Sequence, residues 1–410
     1  MKHAAPTDVE GLPVLAELGE NQFGDDPAVA YRVAHAQPGP GIFRMPNNDG
    51  LVATSYETLA ALMIHPVLGA QNRSLRQSGA GGFGALAKLD SNSPFFMDEP
   101  LHTPMAAAVY QPMSPARQTM LVEQITEIAH RAMDNLLQRQ RGDLVANYAR
   151  VIAEVFWTRF LGLSAKQTSV LRDCSATVVP MLQFSCTQAE IDAANEGAKV
   201  LSQCLNEHYQ TLSSCPGETL LHALTPAIDG CRLPNAPTDA AAVAAAMTFD
   251  AIDSAAAATA NVLFTCLSHP DEWALLRQDP HLVPSAWREA MRVEPSVLGL
   301  QRSPRQPIVY SDIRIPADVN VLMLWAAGNR DPRQFDNPDV FNIRRPQNKL
   351  LSFGGGSRIC KGRHLAMLQG QIALTVLLQR TQSIELLLTT PEWSRPGMLR
   401  AIQSIPVRLG

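Results

Sequence analysis

The alternation of apolar and polar positions makes most of this chain helical. Residues 27–36 and 56–64 repeat with helical spacing. So does the long stretch from Ser114 to Ile228, where Leu121, Ile125, Ile128, Met133, Leu136 and Leu137 mark one face. Two short runs, 41–45 and 50–54, flank the turn-forming Pro46-Asn47-Asn48-Asp49-Gly50 and predict a small β element. Strand-like runs return at 297–302, 309–310, 313–315 and 319–325, broken by Ser311-Asp312 and Pro316-Ala317. The last strong helical pattern carries Leu365, Met367, Leu368, Ile372, Val376 and Leu377. The expected fold class is mainly α with small β-sheets, helical over 100–292 and 360–380 and β-rich near 40–55 and 297–325. No linker interrupts the chain, so 1–410 reads as a single domain. Ser78 to Ser93, rich in Gly, Ala and Ser, lacks periodicity and reads as a functional loop.

The run from Thr238 to Leu267 is rich in alanine and follows Pro237, with Thr238 as the expected N-cap. At about 1.5 Å per residue such a helix spans a domain. Asp250, Asp253, Ser254, Ala257, Ala258 and Asn261 fall on one face at helical spacing. A solvated face would account for that polar stripe. Yet Phe249, Ile252, Val262 and Leu263 make the neighbouring faces apolar, which predicts burial all round, and buried acids need a reason.

Composition narrows the class. Hydrophobic residues make up 46% and charged residues 18%, the balance of a globular protein. The net charge of −4, from 34 basic and 38 acidic residues, gives no support for nucleic-acid binding. Met1 to Asp26 shows neither an apolar span nor a signal pattern, so no membrane anchor and a cytoplasmic location are expected. The seven cysteines are odd in number and form no CxxC pair, which argues against a disulfide framework.

One of them, Cys360, stands in Phe353-Gly-Gly-Gly-Ser-Arg-Ile-Cys-Lys-Gly-Arg-His-Leu-Ala366, at the start of the last helical pattern. The glycines allow a tight turn and close approach to a flat partner, and a helix N-terminus stabilises a thiolate. A P-loop would end in Gly-Lys-Ser/Thr, a dinucleotide fingerprint would have Gly at position 359, and zinc would need more ligands than His364 provides. An inert buried cysteine behind a flexible loop remains open on these residues alone.

The whole string, Phe353-Gly354-x-Gly356-x-Arg358-x-Cys360-x-Gly362 followed by Leu365-Ala366, resembles the haem-binding loop of the cytochrome P450 family at eight of fourteen positions. The resemblance implies haem b (iron protoporphyrin IX) between a long distal helix and this loop. Cys360 would be the axial thiolate, which favours O–O cleavage, Phe353 the ring shielding its sulfur, and Arg358 a propionate partner. Asp98-Glu99-Pro100-Leu101-His102 resembles the start of the family helix with a propionate-binding His, here His102, although Ala106 replaces the usual Arg. Asp253-Ser254 takes the place of the acid-alcohol pair that delivers protons to dioxygen, with Ser254 for the usual Thr. Asp250 stands where small residues are usual, and reads as a second proton donor, a substrate anchor, or the partner of an unseen base.

By the same resemblance, Glu289 and Arg292 form the structural Glu-x-x-Arg pair, with Arg344 as expected third partner, and Arg302 is a propionate arginine. The runs 328–332 and 335–341 resemble the family's meander. Phe95, Phe96, Phe184, Val297, Leu298, Met398 and Leu399 are candidate lining for a small, largely hydrophobic substrate. The implied function is monooxygenation with dioxygen, fed with electrons by a separate ferredoxin or flavodoxin and its reductase. Arg344, Arg345, Lys349, Lys361 and Arg363 form the expected basic docking patch. A peroxide-driven enzyme would be expected to lack the acid-alcohol pair. A haem-thiolate sensor or haem-binding protein would show no turnover with surrogate redox partners.

Overall fold

The computed structural model describes residues 7–18, 26–46, 50–71, 84–212, 219–237, 239–346, 349–388 and 390–410. Thirteen α-helices of seven or more residues are found among them. In chain order these are α1 (Pro27–Ala36), α2 (Tyr56–Met63), α3 (Gly84–Asp90), α4 (His102–Tyr110), α5 (Gln118–Arg139), α6 (Arg150–Leu161) and α7 (Ala165–Val178). They continue with α8 (Gln188–Leu212), α9 (Leu220–Gly230), α10 (Ala240–Leu267), α11 (Pro270–Gln278), α12 (Val283–Val293) and α13 (Arg363–Arg380).

The helix α10 is the centre of the core. Its alanines favour the helix and let neighbours approach closely, and α6, α8, α12 and α13 all pack on it. By length and apolar composition it would pass for a membrane span, but 67% of its most apolar window is buried inside the protein, as in a core helix. Thr238 lies outside the described residues. Asp239 caps the helix, its carboxylate accepting from the Ala241 N–H at 2.8 Å.

A five-stranded sheet forms from β1 (Ile42–Arg44), β2 (Leu51–Ala53), β3 (Leu68–Gly69), β4 (Leu300–Pro304) and β5 (Val321–Met323), in the order β1-β2-β5-β4-β3. In it Val52 lies opposite Leu322 in a parallel pair, and Arg302 opposite Val321 in an antiparallel pair. That register places Arg302 at the centre of a paired strand with its side chain buried. Two three-stranded sheets are also found among the described residues. One joins 7–8, 308–310 and 313–315; the other joins 141–143, 384–386 and 406–409.

The low-periodicity segment differs from the expectation. Residues 78–83 lie outside the described residues, while 84–90 form α3. Leu86 and Leu89 pack into the main core, and the Leu86 N–H donates to Asn195 Oδ1 of α8 at 3.1 Å. Two apolar residues three apart carry one helical face, too short a pattern to stand out among glycines and alanines.

Candidate active site

The cysteine loop turns through Gly354 (φ +66) and Gly356 (φ +62), a region that L side chains adopt at a cost. A Cβ on Gly356 would stand 2.7 Å from the Met63 carbonyl oxygen, so glycine is required there twice over. The Cys360 N–H donates to the Phe353 carbonyl at 2.8 Å, which closes the loop. The Phe353 ring stacks on Trp287 of α12 at 5.9 Å between centroids.

Gly362 is the N-cap residue of α13, and the backbone N–H groups of Gly362 and Arg363 donate to the Cys360 sulfur. Burial nevertheless dominates and pushes the Cys360 thiol above its ordinary value, outweighing those amides and the Arg363 charge. Cys360 is still exposed, and the Asp250 charge on α10 reaches its sulfur, so the side chain faces the space between the loop and that helix. A metal cation at the sulfur would supply the missing compensation and hold it as thiolate.

Among the described residues, two arginines hold a buried guanidinium Nη1 with no hydrogen-bond partner: Arg302 and Arg358. Burial, then the charge of Arg358, lowers Arg302 from its ordinary value to about 9, still cationic at neutral pH. Burial likewise lowers Arg358. His102 is buried at the start of α4, its ring nitrogen 3.4 Å from Glu99, and burial followed by the Arg358 charge lowers its pKa. Three nitrogen-bearing side chains thus crowd together, and an anionic ligand would relieve that repulsion. This donor set fits a haem with its propionates between Arg302, Arg358 and His102 and its iron at Cys360. Ala106, also buried, brings no cation to the next turn of α4.

Sequence reasoning missed the counter-charge. Asp98 accepts from Arg358 Nη2 at 2.6 Å, from Arg305 Nε at 2.8 Å and from the Ala70 N–H at 2.7 Å. Burial raises its pKa, but these bonds and the two arginine charges win and hold the carboxyl below its ordinary range. Asp98 and Arg358 are 260 positions apart, and no local pattern announces such a pair.

On α10 the expected stripe divides. Ser254 Oγ donates back to the Asp250 and Ala251 carbonyls, at 3.0 and 3.2 Å. Asp250 accepts a hydrogen bond from Ser93 Oγ at 2.5 Å, and its charge contributes to raising the Cys360 thiol, so it acts across the interior towards the sulfur. Asp253 is buried and ion-paired with Arg150 of α6 at 3.0 Å. Asn261 is not at the site: its amide donates to the Arg400 carbonyl at 2.9 Å and its oxygen accepts from the Ile402 N–H at 3.2 Å, tying down the C-terminal segment.

The Glu289–Arg292 pair is fully buried, with Nε–Oε2 and Nη2–Oε1 at 2.9 and 2.8 Å. Its third partner is Arg345, not Arg344. Arg345 Nε donates to Glu289 Oε1 at 2.9 Å, whereas Arg344 is exposed and contributes a backbone N–H to Asn342. Arg345 points inward because it also satisfies the carbonyls of Asp336 and Val340 in the irregular segment that it closes. The network reaches the cysteine loop through Asn329. Arg292 Nη1 donates to the Asn329 carbonyl at 2.8 Å, and the Asn329 side chain bonds Ser352 Oγ at 2.8 Å and the Leu351 N–H at 2.7 Å.

Among the apolar candidates, the Phe184 N–H donates to Pro396 and the Leu298 N–H to Met398, which brings Phe184, Leu298 and Met398 into one cluster. Val297 pairs with Leu399 across an antiparallel bridge. Phe95, Phe96, Phe184, Val297 and Met398 stay partly exposed. Leu298 is buried and packs in the core with Leu15, Tyr31 and Leu322. Leu399 is also fully buried.

A family model described as Cytochrome P450 matches residues 174–396. The chain is 30% identical to nocardicin C N-oxygenase of Nocardia uniformis subsp. tsuyamanensis, over 77% of this chain and 79% of that one. It is 28% identical to the cytochrome P450 monooxygenase PikC of Streptomyces venezuelae, over 96% of this chain and 93% of that one. The crystal structure of P450BioI in complex with an acyl carrier protein ligated to hexadec-9Z-enoic acid superposes with a TM-score of 0.86 at 24% identity, covering 94% of this chain and 99% of that one. With the family model spanning more than half of its length and a relative 30% identical over more than two thirds of both chains, this chain belongs to the cytochrome P450 family and is a cytochrome P450 monooxygenase.

Proposed function

We propose that the chain binds haem b through Cys360 and inserts one oxygen atom from dioxygen into a moderately sized, largely hydrophobic organic molecule, as a soluble enzyme of secondary metabolism. The haem, once bound, supplies the oxygen-activating chemistry; the chain supplies ligand, anchors, proton donors and substrate wall. The observation that carries the reading is the pairing of an inward-facing cysteine, short of positive charge, with two buried arginines that each keep an unpartnered Nη1.

In this reading Arg302, Arg358 and His102 hold the propionates, and Asp98 fixes the Arg358 fork at 2.6 Å. Ser254 keeps a hydroxyl on the substrate side, restrained by its bonds to the preceding turn. Asp253, beside it in sequence, holds the acid whose release from Arg150 would open a proton route to Ser254. Phe95, Phe96, Phe184, Val297 and Met398 exclude water and orient the substrate.

Electrons come, in the same proposal, from a separate ferredoxin or flavodoxin with its reductase, docking on the cysteine side. The patch comprises Arg344, Lys349, Lys361 and Arg363, since Arg345 is committed to Glu289. Charge reversal at Lys361 and Arg363 is expected to slow reduction and flatten its salt dependence.

The deciding experiment is a spectrum. Reduced holoprotein with carbon monoxide is expected to show the red-shifted Soret band of thiolate-ligated haem, and Cys360→Ala is expected to abolish it. A wild-type protein without that band overturns the reading.

A further inference from the structure

The function above uses Ser254 and Asp253 and leaves Asp250 unexplained, although a carboxylate here replaces a small residue on the face of α10 that looks towards Cys360. We propose that Asp250 is a positioning residue that sets the substrate-side wall by holding Ser93, and through Ser93 the Phe95–Phe96 pair and the guanidinium of Arg302. The inference deepens the haem-thiolate reading and rests on it for the meaning of that wall.

Ser93 is buried, 1% exposed, just ahead of the aromatic pair. Its single hydroxyl proton goes to Asp250 Oδ2 at 2.5 Å, and its oxygen accepts from the Phe95 N–H at 3.2 Å. The Ser93 carbonyl accepts from the Phe96 N–H at 3.0 Å. Both amides of the aromatic pair are therefore attached to one residue, whose hydroxyl is oriented by Asp250.

The rings carry the order further. Phe95 and Phe96 meet edge to face with centroids 4.8 Å apart, and the Arg302 guanidinium carbon lies 4.3 Å from the Phe95 ring centre. One carboxylate on α10 thereby fixes, in sequence, a hydroxyl, a backbone turn, a pair of rings and an arginine facing the propionate region. With a small residue at 250 the buried Ser93 hydroxyl would lose its charged acceptor, and the turn would lose the bond that selects its orientation.

The test uses ferric holoprotein carrying Asp250→Ala, Asp250→Asn, Ser93→Ala, or Ser93→Ala with Asp250→Ala. Each is titrated with imidazole and with 4-phenylimidazole by the Soret shift, and amide exchange is followed at Phe95, Phe96 and Met97. The ratio of the two dissociation constants reads the wall, because only the larger ligand extends from the iron towards it. Asp250→Ala is expected to change that ratio about tenfold, the size of one charge-assisted bond, and to speed exchange at Phe95 and Phe96.

Ser93→Ala is expected to do the same, and the double variant no more than the larger single one, because both remove one shared interaction. Asp250→Asn, whose amide oxygen still accepts from Ser93, is expected to stay within about twofold of the wild type. The proposal is overturned if Asp250→Ala leaves ratio and exchange unchanged, if the two alanine effects add, or if Asp250→Asn behaves as Asp250→Ala. The failure of the underlying reading looks different: no thiolate carbon monoxide band and no Soret shift with imidazole, with exchange at Phe95 and Phe96 still deciding the Asp250–Ser93 link.

Discussion

Arg150 Nη1 stands 3.0 Å from Asp253 Oδ1, so the acid beside Ser254 is bound to a residue of α6, 103 positions earlier. The same nitrogen lies 3.5 Å from Glu154 Oε1, and Arg172 Nε of α7 donates to the other Glu154 oxygen at 2.8 Å. A line of alternating charge thus runs from α10 through α6 to α7. It gives the buried Asp253 a partner whose other side meets water.

Removing Arg150 should therefore affect stability first. Arg150→Leu leaves Asp253 and Glu154 buried with less positive charge between them. Breaking a fully buried pair costs about 3–5 kcal/mol. The Arg150 side chain is 38% exposed, which lowers the expected loss to about 1–3 kcal/mol by urea denaturation. Turnover should survive this change. Asp253→Asn should instead lower turnover by about a hundredfold and raise the solvent isotope effect, as expected for loss of a proton-transfer group.

The buried ion-pair network makes a sharper prediction between two adjacent arginines. Arg345→Ala should lower stability by about 3 kcal/mol or more and weaken haem retention, because Glu289 loses a buried cation, the Asp336 carbonyl loses its donor and the Val340 carbonyl is left with Arg292. Arg344→Ala should change stability by no more than about 0.5 kcal/mol, since its side chain is exposed. Haem transfer to an acceptor globin, measured beside urea midpoints, checks both; equal effects at the two positions would refute the assignment.

Those two arginines also show what the sequence could and could not reveal. The cysteine loop, the Ala-rich helix and the Glu-x-x-Arg pair are local patterns, with helical spacing or fixed offsets, and the structure keeps each where the pattern put it. Residues 329–345 are irregular, so no periodicity decides which of two neighbouring arginines points inward. Partnerships across the fold left no local trace either: Asp98 with Arg358, Arg150 with Asp253, and Ser93 with Asp250 are joined by the folding of separate elements. Leu298 adds a further case: it lies just ahead of β4, and only the packing shows that its side chain meets the core.

Asp98 makes stability depend on pH in a predictable direction. Its folded-state pKa is below the 3.8 of the unfolded chain, because the Ala70 N–H, Arg305 and Arg358 overcome the opposing effect of burial. The contribution is whole above that unfolded value and is lost as pH falls through the folded one. Asp98→Asn should therefore lower the urea midpoint at neutral pH and leave a shallower decline between about pH 5 and about pH 2. A decline as steep as in the wild type would show that Asp98 contributes nothing to acid sensitivity.

The two positive-φ glycines of the cysteine loop should respond unequally to the same substitution. At Gly354 (φ +66) a Cβ would meet nothing closer than 3.9 Å, so Gly354→Ala carries only the left-handed backbone cost, about 1–2 kcal/mol. At Gly356 (φ +62) the Cβ would stand 2.7 Å from the Met63 carbonyl oxygen and 3.2 Å from Ile64 Cα, both backbone atoms of the segment that ends α2. Neither can rotate away, so the loop itself must move, and with it the Cys360 N–H that bonds Phe353. Gly354→Ala should keep the thiolate carbon monoxide band with a modest fall in melting temperature. Gly356→Ala should lose haem or shift the band towards the position of a protonated thiol ligand, because the sulfur is displaced from the amides of Gly362 and Arg363.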